Sequence, residues 1–184
     1  MDHIQCGGGG FLPQLFDMET FDNTGYGGGG YIPRFNIPYQ KSRGYIRGFG
    51  IQTGSGRGID SRFPAFGVEL KKAIRSRFMA RIGFGCFGER LANPDTYVEI
   101  DPSGEKDRYG IPIVRIHCRT GDNEYKMFKD MQDQLRMILE ACKAEDIAIT
   151  QSMYPPGWSE HESGACRMGR DPKASVCNLN YAPI

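Results

Sequence analysis

The chain has 184 residues, long enough for one domain with a hydrophobic core and too short for two domains of ordinary size. Its 23 lysine and arginine residues balance 22 aspartate and glutamate residues, which argues against nucleic acid or an anionic membrane surface as a partner. No stretch approaches the roughly 20 apolar residues of a spanning helix, and the N-terminus lacks the features of a secretory signal, so we expect a cytoplasmic protein without a membrane span.

The first 60 residues are rich in glycine. Two glycine runs, at residues 7–10 and 27–30, are each followed by an aromatic residue and, two positions later, by a proline. We read each as a short strand entered from a glycine turn, and Pro13 and Pro33 predict positions at a sheet edge because proline cannot donate to the strand ladder. A flexible linker is the alternative, although the aromatic residues favour packing. Residues 1–60 are therefore predicted to be a glycine-rich irregular segment that packs on a sheet.

Three short elements are predicted next. Apolar residues at helical spacing indicate an amphipathic helix over residues 66–78, with lysine and arginine on its other side. Alternation of apolar residues with arginine and glycine then indicates a strand over residues 80–86. Residues 97–101 form another short strand, and the Pro-Ser-Gly sequence that follows predicts a turn.

A strand and a long helix complete the regular part of the chain. Residues 111–119 alternate, so that Val114, Ile116 and Cys118 are predicted to face a core while basic side chains take the other face. A single apolar stripe predicts a helix over residues 122–143. This helix is the most strongly marked element of the sequence.

The remaining residues, 154–184, contain several prolines and glycines and show no period, which predicts a long loop region. Strands, a helix, more strands and a long helix, without strict β-α-β alternation, predict an α+β fold with a mostly antiparallel sheet and flanking helices. Because long ordered loops often carry function, we expect functional residues in the last segment.

Several common kinds of site find little support in the sequence. The six cysteines include no C-x-x-C pair and the three histidines are far apart, which predicts reduced thiols and no metal site. The even cysteine count leaves a disulfide framework as an alternative. No G-x-S-x-G motif would present a serine nucleophile, and nothing near Cys166 marks its thiol as activated.

A formal G-x-G-x-x-G motif occurs at Gly83, Gly85 and Gly88. A dinucleotide-binding turn needs a strand before this motif and a helix after it, so that the pyrophosphate meets the helix N-terminus. Here Asn93 and Pro94 follow too soon for a helix to form. The motif is therefore interpreted as close strand packing and not as a cofactor site.

His161 differs from the other two histidines. His3 lies in the terminal tail and His117 is in phase with arginines on a polar strand face, so both have ordinary explanations. His161 lies in the aperiodic last segment, where no core stripe accounts for an imidazole. Because histidine titrates near neutral pH, it is a candidate general base, with an exposed loop histidine as the plain alternative.

The surroundings of His161 carry a family resemblance. Residues 161–176 read His-Glu-Ser-Gly-Ala-Cys-Arg-Met-Gly-Arg-Asp-Pro-Lys-Ala-Ser-Val, which closely resembles the C-terminal signature of the glucose-methanol-choline (GMC) oxidoreductases. Residues 93–102 and 107–114, and the start of the long helix at 122–124, also resemble the substrate domain of that family. The likeness covers residues 85–178 well and the glycine-rich start more loosely.

The resemblance implies a chemistry for this loop. It implies an FAD-dependent oxidoreductase that acts on CH–OH groups of sugars, sugar acids or small alcohols, with His161 taking the hydroxyl proton while the flavin takes a hydride. Glu162, Arg167 and Met168 are expected to shape the loop or the substrate pocket. Residues 61–184 would then be the C-terminal substrate domain.

The sequence also departs from the family pattern, which leaves two alternatives open. It lacks the glycine fingerprint of the FAD-binding unit, and the resemblance implies a truncated chain without the family's final segment. The cofactor-binding residues are therefore unknown, and FAD would be held by another part of the protein or by a separate FAD-binding chain. The alternative is a non-catalytic fragment or interaction module that needs a partner chain.

Overall fold

The computed structural model describes residues 3–17, 29–56, 64–77, 80–155, 161, 164, 166–178, 180 and 182. The chain divides into two compact units, which we name by their main features. The sheet unit consists of Ile4–Glu89 and Asp122–Met153. The hairpin unit consists of Met1–His3, Arg90–Gly121 and Tyr154–Ile184.

The described residues form the following strands and helices. The strands are β1 (His3–Phe11), β2 (Gly29–Ile32), β3 (Phe49–Gly56), β4 (Arg81–Glu89), β5 (Tyr97–Ile100), β6 (Val114–His117) and β7 (Glu145–Ile149). The α-helices are α1 (Gln40–Arg43), α2 (Gly67–Arg77) and α3 (Asp122–Ala141), and short 3-10 turns occupy Pro13–Leu15 and Ile37–Tyr39. The predicted helix over residues 66–78 and the predicted strands over 80–86 and 97–101 are confirmed as α2, β4 and β5.

The sheet unit contains a five-stranded sheet in the spatial order β2-β3-β4-β1-β7. The pairs β2/β3, β3/β4 and β1/β7 are antiparallel, and the longest ladder joins β3 to β4 from Phe49 opposite Gly88 to Gly56 opposite Arg81. The prediction of an α+β fold with a mostly antiparallel sheet is therefore confirmed. Residues 1–60 contribute β1, β2 and β3 to this sheet.

Helix α3 covers the sheet and builds the core. Met127, Met131, Leu135 and Leu139 recur every fourth residue along one stripe, and all four side chains are fully buried. Burying an aliphatic or methionine side chain of this size contributes about 1.5–3 kcal/mol relative to leaving it exposed. The predicted helix over residues 122–143 is confirmed, with its last turn ending at Ala141.

A left-handed residue ends helix α3. Lys143 has φ of +55°, and the backbone N–H groups of Lys143 and Ala144 donate to the carbonyls of Glu140 and Leu139 at 2.9 Å each. This pair of bonds is a Schellman motif, which satisfies carbonyls that the helix end would leave unpaired. It turns the chain directly into β7, a strand that the sequence did not predict.

Glycines allow β1 to lie inside the sheet. The predicted edge position is wrong for this strand, because β1 lies between β4 and β7. A Cβ atom on Gly9 would come within 2.7 Å of the Ile82 carbonyl oxygen, and one on Gly10 within 2.7 Å of the Glu145 carbonyl oxygen. Pro13 comes after the strand, at the start of a 3-10 turn. The strand before Pro33, β2, does lie at the sheet edge, as predicted.

A buried polar network joins the segment before β3 to helix α3. Asp130 accepts hydrogen bonds from the Arg43 guanidinium and from the Tyr45 hydroxyl. Nδ2 of the fully buried Asn36 donates to the Tyr45 hydroxyl at 2.7 Å, and Oδ1 of Asn36 accepts from the backbone N–H of Phe49 at 3.4 Å. Burial, and then the hydrogen bond to Asp130, raise the pKa of Tyr45. The network therefore keeps this phenol protonated and every named group partnered.

The hairpin unit contains the antiparallel pair β5/β6. Its register places Val98 opposite Ile116 and Ile100 opposite Val114, so these four side chains share one face. That face is 50–67% exposed. The prediction that Val114 and Ile116 meet a core is therefore wrong, because a two-stranded hairpin has two faces and here no other described element covers the aliphatic one.

The glycine packing of β1 can be tested by two matched substitutions. Gly9→Ala should lower the free energy of unfolding by about 1–3 kcal/mol, because its Cβ would press on a neighbouring backbone carbonyl that cannot move without separating the strands. Gly83→Ala is the control, since its Cβ would meet nothing nearer than 3.9 Å. Urea unfolding measures both, and equal losses for the two variants would contradict the packing argument.

The Asp130 network gives a second stability prediction. Asp130→Asn should destabilise the fold by about 1–3 kcal/mol, because a neutral amide cannot replace the carboxylate that accepts from both Arg43 and Tyr45. Asp133→Asn, one turn along, removes a carboxylate that among the described residues pairs with the exposed Lys129, and it should change stability by less than about 0.5 kcal/mol. Chemical denaturation of both variants checks the difference.

The buried thiols of Cys6 and Cys86 should make the folded protein less stable at alkaline pH. Burial raises the pKa of Cys6 from its ordinary value of 9.0 to about 11, and it also raises the pKa of Cys86. Between about pH 9 and pH 11 the unfolded chain loses protons that the folded chain keeps, so stability falls as pH rises.

The test compares the wild type with Cys6→Ala by urea unfolding under reducing conditions. At pH 7 the variant should have a lower free energy of unfolding than the wild type, because the core loses the Cys6 side chain. Between about pH 9 and pH 11 its free energy of unfolding should fall less steeply than that of the wild type, with slopes that differ by up to about 1.4 kcal/mol per pH unit. Identical slopes for both proteins would show that this thiol does not cause the alkaline loss.

Candidate functional site

The loop that carries the family signature is organised by backbone hydrogen bonds. The Arg167 carbonyl accepts from the backbone N–H groups of Val176 and Cys177 at 2.8 and 3.2 Å, and the Gly169 N–H donates to the Cys177 carbonyl at 2.9 Å. Met168 and Cys177 form an isolated parallel bridge. A Cβ on Gly169 would meet the Ser175 hydroxyl oxygen at 2.6 Å, so glycine permits this close approach. The Arg-Met-Gly sequence is therefore one side of a closed loop.

His161 contacts a second histidine. Its side chain is exposed, and its Nδ1 atom lies 3.4 Å from Nε2 of His3, within hydrogen-bond distance. The ring centroids are 4.9 Å apart with an angle of 33° between the planes. Because a neutral imidazole has one donor and one acceptor nitrogen, one ring must donate to the other. Each ring therefore influences which nitrogen of the other carries a proton.

The other predicted site residues have different positions. Arg167 and Met168 lie in the closed loop with exposed side chains. Glu162 lies outside the residues that the structure describes. The structure thus brings His161 to His3 and Met168 to Cys177.

Sequence reasoning missed His3 as a site residue. It was interpreted as an ordinary tail histidine, yet it is the first residue of β1 and the partner of His161. The two residues are 158 positions apart in the chain, so no local motif could join them. The only available signal was the presence of a second histidine among three.

His117 has a structural partner, as its position on a polar strand face suggested. Its Nε2 atom lies 2.8 Å from the Glu99 carboxylate, and its ring stacks on Tyr97 with centroids 4.3 Å apart. On the same face Arg115 donates to Asp101 at 3.1 Å. Hydrogen bonds from the Ser103 backbone and hydroxyl, followed by the Arg115 charge, lower the pKa of Asp101. This cross-strand set fixes the hairpin.

The described residues do not form a dinucleotide-binding turn. Gly83, Gly85 and Gly88 all lie within β4, where they pair with β3 residues. No helix follows this motif at the distance needed to hold a pyrophosphate. Residues 83–88 therefore do not fit the phosphate-bearing part of FAD.

The described residues also bear on metal binding, membrane spanning and disulfide formation. Among the described residues no group of three or more histidine, cysteine, aspartate or glutamate side chains could hold a metal ion. Within the same residues, no helix has the length and apolar character needed to cross a bilayer. All six cysteines are free thiols.

Comparison with known proteins identifies the family. Residues 92–182 match the family model described as GMC oxidoreductase. This half of the chain, which contains β5, β6, α3 and the His161 loop, belongs to the GMC oxidoreductase family and corresponds to its C-terminal domain. The resemblance proposed from residues 161–176 is therefore confirmed.

Curated relatives extend the similarity over most of the chain. The flavoprotein of gluconate 2-dehydrogenase from Pantoea cypripedii is 27% identical over 95% of this chain. The 2-methyl-1,2-propanediol dehydrogenase of Mycolicibacterium austroafricanum is 27% identical over 88% of it, and the C-glycoside 3-oxidase of Arthrobacter globiformis is 29% identical over 53%. The matched regions are 28%, 31% and 18% of these relatives, so the chain spans less than a third of their length.

Proposed function

We propose that this chain is the substrate-side part of an FAD-dependent oxidoreductase that acts on CH–OH groups of sugars, sugar acids or small alcohols. The observation that carries the proposal is the position of His161, an exposed imidazole in the signature loop of a GMC domain with its Nδ1 atom engaged by His3. The three relatives, two dehydrogenases and an oxidase, support the reaction class.

In the proposed reaction, His161 is the general base. Its Nε2 atom accepts the hydroxyl proton of the alcohol, and the developing alkoxide then makes loss of hydride from the carbon easier. A general base of this kind contributes about 10²–10⁴ in rate. A bound flavin would supply the hydride acceptor.

The remaining site residues are proposed to act on the substrate by position. Arg167 and Met168 present exposed side chains from a closed loop in the same unit as His161. A guanidinium can hold the hydroxyl or carboxylate oxygens of a sugar acid, and a thioether packs against carbon atoms. We assign Glu162 the same role from its neighbouring position in the sequence. We further propose that residues 61–184 are the substrate domain, to whose sheet residues 1–60 add three strands.

We further propose that FAD is held by polypeptide other than the described residues. The glycines of β4 form no phosphate cradle, and the chain spans less than a third of its relatives. The missing contacts would come from another part of the same protein or from a separate FAD-binding chain. The small-molecule alcohol would bind where that part meets the His161 loop.

One observation favours the second candidate, a non-catalytic module that needs a partner chain. The aliphatic face of the β5/β6 hairpin is more than half solvent-accessible at Ile100, Val114 and Ile116, which is unusual for a hairpin that works alone. The absorbance spectrum of the purified protein separates the candidates. When the chain is purified together with the polypeptide that holds FAD, a yellow preparation that bleaches on addition of an alcohol supports the enzyme, and a yellow preparation that no alcohol bleaches supports the module.

The role of His161 can be tested by substitution in the flavin-loaded protein. His161→Ala should slow flavin reduction about 10²–10⁴-fold at saturating alcohol, because the proton then has no positioned acceptor. Substrate affinity should change little, since the base acts mainly in the transition state.

His117→Ala provides the control, because it removes an imidazole that is committed to Glu99 and Tyr97. Stopped-flow absorbance measures the reduction rate of both variants. Added imidazole should restore part of the rate in His161→Ala and none in the control. Unchanged flavin reduction in His161→Ala would overturn the proposed function.

A further inference from the structure

The contact between the two histidines has a direction that the proposed function requires. His161 can accept a proton from an alcohol only at a ring nitrogen that carries none, and a neutral imidazole holds its single hydrogen on one nitrogen or the other. The Nδ1 atom faces Nε2 of His3 at 3.4 Å. The state that can act as a base at Nε2 is therefore the state in which Nδ1–H donates to His3.

We propose that His3 is the positioning residue for His161. In this arrangement Nε2 of His3 accepts the hydrogen bond from Nδ1 of His161, which selects the tautomer with an unprotonated Nε2 and holds the ring in one orientation. His3 then carries its own hydrogen on Nδ1. The inference rests on the proposed function, because the opposite tautomer would make His161 a donor toward the substrate and not a base.

The same contact helps after the proton has moved. When Nε2 of His161 takes the hydroxyl proton, the ring becomes an imidazolium, and its Nδ1–H becomes a charged donor to His3. Hydrogen bonds from charged donors are stronger than those between neutral groups. The contact therefore strengthens as the reaction proceeds, which is what a group that stabilises a transition state does.

Residue placement supports a positioning role over a catalytic one. His3 begins β1, whose next residues Ile4 and Cys6 are buried in the core. His3 is therefore paired into a regular element, whereas His161 itself lies outside the helices and strands. The strand thus offers a fixed acceptor against which the loop histidine can be oriented.

Two substitutions of His3 test whether it acts as a hydrogen-bond acceptor or only fills space. In His3→Gln the side-chain carbonyl oxygen can reach the position of the imidazole Nε2 atom and accept the same hydrogen bond. In His3→Leu a side chain of similar size has no acceptor. If His3 only filled space, His3→Leu would preserve the wild-type behaviour at least as well as His3→Gln, because leucine is the more apolar side chain.

Ring-nitrogen NMR of the ¹⁵N-labelled full chain reads the tautomers directly. The chain has three histidines, and spectra of His117→Asn and His161→Gln assign their ring-nitrogen signals. At about pH 8.5, above the ordinary histidine range, wild-type His161 should hold its hydrogen on Nδ1, and so should His161 in His3→Gln. His117 is an internal reference with the opposite tautomer, because its Nε2 atom donates to the Glu99 carboxylate at 2.8 Å.

The outcome in His3→Leu decides the inference. A mixture of both His161 tautomers in His3→Leu, with the Nδ1–H form kept in His3→Gln, supports it. The same tautomer distribution in wild type and His3→Leu, or an Nε2–H form in the wild type, overturns it. Thermal unfolding of both variants verifies that they are folded before the spectra are compared.

Kinetics of the flavin-loaded protein give the second readout. His3→Leu should slow flavin reduction about tenfold or more without changing substrate affinity, and His3→Gln should recover most of that loss, because tautomer control limits a histidine base. Equal rates in both variants would overturn the positioning role. A failure of the proposed function would give a different result. In that case His161→Ala would reduce flavin at the wild-type rate, whichever tautomers the NMR spectra of the His3 variants show.

Discussion

The packing of helix α3 on the five-stranded sheet is the interaction on which the rest of the sheet unit depends. Its buried stripe, from Met127 to Leu139, supplies more residues of the core cluster than any strand does. The Asp130 network ties the interior of the helix to the segment before β3, and the Schellman turn at Lys143 ends the helix and directs the chain into β7. The glycines of β1 are the necessary counterpart, because they let a central strand lie close to both neighbours.

The chemistry proposed for the chain lies outside that core, on irregular backbone. This division is physically reasonable, since a buried loop would carry unsatisfied polar groups while a surface loop can present an imidazole to a substrate. The closed loop from Arg167 to Cys177 pairs its own backbone groups, so it is ordered without being part of a sheet. His161 gains its partner from the first residue of β1. The first residue of a strand can thus contact a side chain that is distant in the sequence.

Residues 92–182 belong to the GMC oxidoreductases and correspond to the C-terminal domain of that family. This explains the elements that are present and the lack of a phosphate-binding turn among the described residues. The signature loop and the long helix are present, whereas the G-x-G-x-x-G motif of residues 83–88 lies in a paired strand. A glycine pattern therefore has two opposite meanings that depend on what surrounds it. Before a helix it leaves room for phosphate, and within β4 Gly85 and Gly88 leave room for the side chains of Phe87, Met127 and Met131.

The sequence by itself determined the strongly periodic elements and the family loop. Helix α3, helix α2 and strand β4 follow from local spacing, and His161 follows from its neighbours in the chain. Only the tertiary structure decided the interior position of β1, the existence of β7, the exposure of Val114 and Ile116, and the pairing of His3 with His161. The physical reason is that these depend on which distant segments meet. Side-chain periodicity reports one element and its face, but it carries no information about the partner that the face will contact or about residues 158 positions away.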